Sequence, residues 1–146
     1  MRAVVQRVRH ASVAVDGEIV AEVGHGVVVL LGVSKEDTAS VAERLAGKIA
    51  RLRIFENDAG RFDRSLIDVS GQALVVSQFT LIADTHKGNR PSFTGAASPD
   101  VAEPLYERFS RFLDEEGVRV SRGVFGARMQ LALINDGPVT IVLEIA

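Results

Sequence analysis

The chain has no cysteine and no tryptophan among its 146 residues. Without cysteine there are no disulfides, no thiolate nucleophile and no cysteine-based metal site. Histidine is almost as scarce: His10, His25 and His86 are scattered, so no metal-ligand cluster stands out and no metal or cofactor is expected. Charge of either sign is not in marked excess, the net being −2 with a pI near 5.9. A protein that coats nucleic acid nonspecifically usually carries a basic surplus that neutralises phosphates. An enzyme that grips one end of an RNA through a few contacts remains compatible with this balance. No segment is both long and apolar enough to span a membrane, and Met1-Arg2 leads into strand-like alternation rather than a signal peptide. A cytoplasmic protein is the expectation.

What is present is the composition of a globular protein, 47% hydrophobic and 25% charged. The length suits one domain over residues 1–146 with a substantial core. Arg2 to Val15 reads as a long strand, and Asp16-Gly17 as a hairpin turn into Glu18 to Val23. Gly26 to Val33 is a continuous apolar run, as expected of a strand buried on both faces. A helix is predicted from about Ser40 to Leu52, with Val41, Leu45, Ile49 and Leu52 on its inner face; Ser40 and Glu43 have capping-box spacing, with Asp37 a competing start. Asn57 to Gly60 is a turn, and Ala73 to Phe79 another strand. A long loop from Ala83 to Pro99 precedes a second helix carrying Leu105, Phe109, Phe112 and Leu113; Pro99 suits its first turn, while Pro104 marks either a kink or the true start. Mixed sheets with both helices packed on one side follow, an α/β or α+β domain.

Five places carry groups suited to chemistry. Ser77-Gln78-Phe79-Thr80 stands at a strand end facing the long loop, where catalytic groups commonly sit. Ser77 and Thr80 are hydroxyl nucleophiles only if a base adjoins them, and the nearest histidine is His86, with Asp84 two positions before it. The chain there lacks Gly-x-Ser-x-Gly, and Thr80 equally suits a hydroxyl bonding local backbone. Arg7 shares the odd parity of the first strand with Ala3, Val5, Ala11 and Val13. There its guanidinium must either snorkel to water or pin backbone carbonyls of another segment. Lys87 and Arg90 lie in the long loop with Phe93, a combination suited to a phosphate or nucleotide end. Phe125 is bracketed by Gly123 and Gly126, placed either for stacking or for the core.

The fifth place is Asn135-Asp136-Gly137-Pro138-Val139-Thr140. It lies between Ala127–Ile134 and Val139–Ile145, two runs of period two, with Met129, Leu131 and Leu133 on one parity of the first. Locally this reads as a tight turn joining a hairpin, although Pro138 is poorly suited to open a paired strand.

Taken in order, these segments resemble the D-aminoacyl-tRNA deacylases. The resemblance rests on Arg7 in Val-Gln-Arg-Val, Ser77 to Leu81, Lys87 to Phe93, Gly123 to Ala127 and Asn135 to Thr140, and it runs the length of the chain. It implies a barrel-like, mixed-sheet, three-layer α/β/β domain. It also implies a homodimer that cleaves the ester between a D-amino acid, or glycine, and tRNA, with no cofactor. The Gly137-Pro138 peptide would be cis and would enter the partner's active site as the chiral filter, locked by Arg7. Ser77, Gln78, Phe79 and Thr80 would form the catalytic segment. Phe125 would stack on the terminal adenine, with Met129 beside the substrate and Lys87 and Arg90 near phosphates. Two rivals remain at this stage: a non-catalytic dimeric module that holds tRNA ends or a small ligand, and a Ser or Thr hydrolase of small esters.

Overall fold

Fourteen residues of continuous strand, β1 (Arg2–Val15), organise the domain, and the computed structural model describes all of residues 1–146. One edge of β1 pairs antiparallel with β3 (Gly26–Gly32) along Arg2 to Val8, then with β2 (Glu18–Val23) along Ala11 to Val15. The β1–β2 turn takes left-handed angles at Asp16 (φ 51°) and Gly17 (φ 79°), the pair a two-residue type I′ hairpin requires. Helix α1 (Ala39–Arg51) follows β3, and then β4 (Phe55–Glu56) and β5 (Phe62–Arg64) form a small separate hairpin. Strand β6 (Gln72–Ser77) returns parallel to β3, and α2 (Pro99–Glu115) leads to β7 (Arg119–Arg122), parallel to β6. Strand β8 (Gln130–Glu144) closes on the other edge of β1.

The apolar residues divide into two clusters, one on each face of this sheet. Val5, Val29 and Val75 meet Leu45 of α1 and Phe109 and Leu113 of α2. On the opposite face Val13, Val28, Leu74 and Val76 pack with Met129, Leu131 and Leu133, where the curled sheet folds over on itself. The result is a helix layer over a nearly closed, barrel-like mixed sheet, the α/β/β arrangement the resemblance implied. No helix is long and apolar enough to cross a membrane.

Four local expectations are corrected. Helix α1 is capped by Thr38, whose Oγ1 accepts from the Val41 amide, rather than by Ser40; Asp37 instead accepts from the Ser34 amide at 2.7 Å. Helix α2 begins at Pro99, as suits a first turn, rather than at Pro104, and runs through Pro104, which has no amide to donate to the Asp100 carbonyl. Strand β6 stops at Ser77 and gives way to a 3-10 turn over Phe79–Ile82. The simple odd parity of β1 also fails. The β1–β8 register shifts between Val8 and His10, so Ala3, Val5 and Arg7 face the helices while Ala11 and Val13 face the inner cluster.

The hexapeptide does not turn the chain back. β8 is one strand, antiparallel to β1 throughout, and Asp136 to Val139 bulge out of the ladder between Val8↔Asn135 and Gln6↔Thr140. A bulge uses the surplus residues of one strand without reversing it, so the two period-two runs belong to the same ladder. The Gly137-Pro138 peptide within the bulge is cis.

Candidate active site

A cavity of about 600 Å³ opens where the parallel strands β6 and β7 end, the edge at which open α/β sheets bind ligands. Ser77, Gln78 and Phe79 line one side, Phe125 and Met129 the other, and Phe93 from the long loop stands at the margin. Ten of its fourteen lining residues are hydrophobic and none is charged, so a bound ester would be held by shape and a few polar groups. The Gln78 amide donates to the Leu31 carbonyl at 2.8 Å, which anchors the end of β6 to β3. The following 3-10 turn ties the Leu81 amide to Gln78 and the Ala83 amide to Thr80. The amides of Phe79 and Thr80, in its first residues, have no acceptor in that scheme. Two adjacent free N–H groups beside an apolar cavity are suited to an anionic oxygen.

The side chains around this turn are specific in their partners. Gln78 Nε2 donates to Thr80 Oγ1 in a short bond, and Thr80 itself is exposed at the cavity's lip rather than in its lining. Phe79, 56% exposed, meets Phe93 edge to face at 5.1 Å between ring centroids. Phe125 leans on Tyr106 at 5.8 Å, and the buried Tyr106 hydroxyl donates to the Val75 carbonyl at 2.8 Å. The hydroxyls of Ser77 and Thr80 have no histidine. His86 Nδ1 lies 2.7 Å from Asp84 Oδ1, but its side chain is exposed in the loop and bonded to no serine or threonine. The His86 amide, and then its ring, hold the Asp84 carboxyl below the usual carboxylate range. That pair is a loop staple, not two members of a triad. No group of three or more metal-ligating side chains is gathered anywhere in the fold.

Arg7 is buried, and its guanidinium does pin backbone. Nε donates to the Asp136 carbonyl at 2.8 Å, NH1 to the Ile54 carbonyl at 2.8 Å, and NH2 reaches Glu56 Oε1 at 3.3 Å. The ring of Phe62 lies against it, 5.6 Å from centroid to Cζ. Asn135 closes the bulge from the other end. Its Oδ1 accepts from the Val139 amide at 2.7 Å, and its Nδ2 donates to Thr140 Oγ1 at 3.0 Å. A Cβ on Gly137 would lie 2.8 Å from Val139 Cγ2 and 3.1 Å from Arg7 NH2, at a φ of +138°. Only glycine fits there without displacement. Gly137 and Pro138 are exposed, and neither they nor Arg7 line the cavity.

The candidate residues thus fall into three places. Ser77, Gln78, Phe79, Phe125 and Met129 meet at the cavity, with Thr80 beside them. Gly137 and Pro138 form an exposed protrusion, held at its base by the buried Arg7. Lys87 and Arg90 are exposed on the loop and line no part of the cavity. Sequence reasoning gave Asn135 no role of its own and passed over Glu56 and Phe62. Asparagine bonding backbone a few residues on is a known turn device, and its place at the head of the hexapeptide was the available signal. Glu56 and Phe62 gave none, because the hairpin that brings them to Arg7 has strands of only two and three residues.

Residues 4–144 match the family described as D-Tyr-tRNA(Tyr) deacylase. A D-aminoacyl-tRNA deacylase of Chloroflexus aurantiacus is 60% identical over the whole chain and 91% of its own length. One from Deinococcus radiodurans is 55% identical over 99% of the chain and all of its own length. Among solved structures, one described as c-Myc DNA Unwinding Element Binding Protein superposes with a TM-score of 0.94 at 45% identity, covering 100% of this chain and 99% of its own. A probable eukaryotic D-amino acid tRNA deacylase shares the fold at a TM-score of 0.85 and 22% identity, over 99% of this chain and 98% of its own. The chain is an enzyme of the D-Tyr-tRNA(Tyr) deacylase family.

Proposed function

We propose that this chain hydrolyses the ester between a D-amino acid and the terminal ribose of tRNA in the cytoplasm, as a homodimer with its active sites at the subunit interface. One observation carries the cross-subunit part. The cavity and the Gly137-Pro138 protrusion are both finished pieces of structure, yet the protrusion is exposed and takes no part in its own chain's cavity. A protrusion fixed by Arg7 and Asn135 supports a role in a site other than its own. Seated in the partner's cavity, the main-chain carbonyls of Gly137 and Pro138 accept charge-assisted bonds from the substrate's α-ammonium. With ammonium and ester held, the same wall stands where an L side chain would point, and a D side chain projects to solvent unread. Glycine, which has no side chain to clash, is also accepted, so glycine mischarged on tRNA-Ala is a second substrate.

In the chemical step a water oxygen bonds to the ester carbonyl carbon, and the carbon–oxygen bond to the ribose breaks. The amides of Phe79 and Thr80 hold the oxyanion, with the Gln78–Thr80 pair fixing the turn that presents them. The proton lost by water passes to the departing ribose oxygen, leaving free amino acid and tRNA. No histidine or carboxylate adjoins Ser77 or Thr80, which supports assistance by the substrate's 2′-hydroxyl rather than a protein nucleophile. Phe125 stacks on the terminal adenine, Met129 closes the far wall, and Lys87 and Arg90 meet phosphates farther along the RNA.

The test is direct. The protein is incubated with D-aminoacyl-tRNA and with its L counterpart, and ester loss is followed. Rapid loss of the D ester alone is expected. Loss of neither above the uncatalysed rate favours a module that only binds tRNA ends. Equal turnover of free D-amino-acid esters favours a small-ester hydrolase.

A further inference from the structure

The main cavity has a neighbour. A second cavity, of about 410 Å³, shares Phe93, Ala96 and Ala97 with it, so one short segment of the long loop is the wall between them. The first cavity has no charged lining; the second has a single charged residue, Lys35. Lys35 is exposed and enters no ion pair. Its backbone is nevertheless fixed to the shared wall. The Lys35 amide donates to the Gly95 carbonyl at 3.1 Å, Ser34 bridges Ala96, and the Ala97 amide donates to the Val33 carbonyl at 3.0 Å. Thr94 and Ser98 also line this cavity and keep hydroxyl protons to donate: Thr94 Oγ1 only accepts a bond from Ser92, and the Ser98 side chain makes no cap bond to α2. Asp100, the acid in the first turn of α2, does not line it.

An aminoacylated RNA end has one neutral nucleoside, which carries the ester, followed immediately by a phosphodiester. An uncharged cavity adjoining one with a single free ammonium matches that order. We propose that the second cavity is the subsite for the nucleotide preceding the aminoacylated adenosine, with the Lys35 ammonium on the phosphate that joins the two. The inference rests on the deacylase reading above and deepens it. Lys87 and Arg90 line neither cavity, so Lys35, not these two, takes the first phosphate.

Three esters of one D-amino acid test this: on adenosine, which has no phosphate; on cytidylyl-adenosine, which has one; and on tRNA. Lys35→Ala is expected to raise KM about tenfold for the second and third at low salt, as loss of one charge-assisted contact would do. It leaves the adenosine ester and every kcat unchanged. Lys35→Arg retains most of the phosphate effect, and the salt dependence of KM for the dinucleotide ester flattens in Lys35→Ala. An equal shift for the adenosine ester, or no shift for any of the three, overturns the assignment while leaving deacylation intact. If the unaltered protein turns over none of the three, the deacylase reading fails and the subsite falls with it.

Discussion

Tyr106 shows how one buried side chain reports on the site. Its ring is 3% exposed and supports Phe125 at the cavity wall, and its hydroxyl shares the Val75 carbonyl with the Gly123 amide. Burial pushes the hydroxyl up to about 12 from an ordinary 10.0. The folded state therefore favours the neutral phenol. That contribution is complete below pH 10, where the unfolded chain is also neutral, and is lost as pH rises through about 12. Two pKa units correspond to about 2–3 kcal/mol. Denaturant unfolding between pH 9 and 12 is expected to show a decline in stability that Tyr106→Phe removes. At neutral pH the same variant loses about 1 kcal/mol, since Val75 keeps its bond from Gly123. An identical alkaline decline in the variant would place the titrating group elsewhere.

At the scale of elements, the β8 bulge and the β4–β5 hairpin meet through Arg7. Arg7→Ala leaves the Asp136 and Ile54 carbonyls without their donor, a cost of about 2–3 kcal/mol seen as a lower unfolding midpoint. Under the proposed function the same change lowers the ratio of D to L hydrolysis, because the protrusion is no longer held. Arg7→Lys is expected to rescue stability in part but the ratio poorly, one ammonium being unable to reproduce a planar fork. Long elements with clear periodicity were legible in the sequence: β1, β3, both helix faces and the Asp16-Gly17 turn. The bulge was not. Period two continues on either side of Asp136–Val139, and nothing local distinguishes a hairpin turn from surplus residues held out of one ladder by a distant arginine. The cavity residues were legible as a group only through the resemblance, since Ser77 and Phe125 are brought together by the β6–β7 pairing, and Met129 by the β8–β1 pairing, rather than by spacing.

At the scale of the whole molecule, the cavity and the exposed Gly137-Pro138 bulge are separate on one chain, and under the proposed function they are two halves of one site. β8 pairs with β1 alone, so its other edge is unpaired, and Ile134 and Val142 on its face are 58% and 72% exposed, which suits the second copy that the proposed function requires. If each cavity is completed by the partner's Gly137-Pro138, two defective chains complement one another. The decisive measurement mixes a protrusion variant, Gly137→Ala, with a cavity variant, Phe79 and Thr80 both changed to proline to delete the two amides. Each homodimer alone is expected to lose D-aminoacyl-tRNA hydrolysis. After subunit exchange, half of the dimers pair an intact cavity with an intact protrusion once, which restores roughly a quarter of the native rate. No recovery, with exchange verified and both variants folded, would contradict a site shared between subunits.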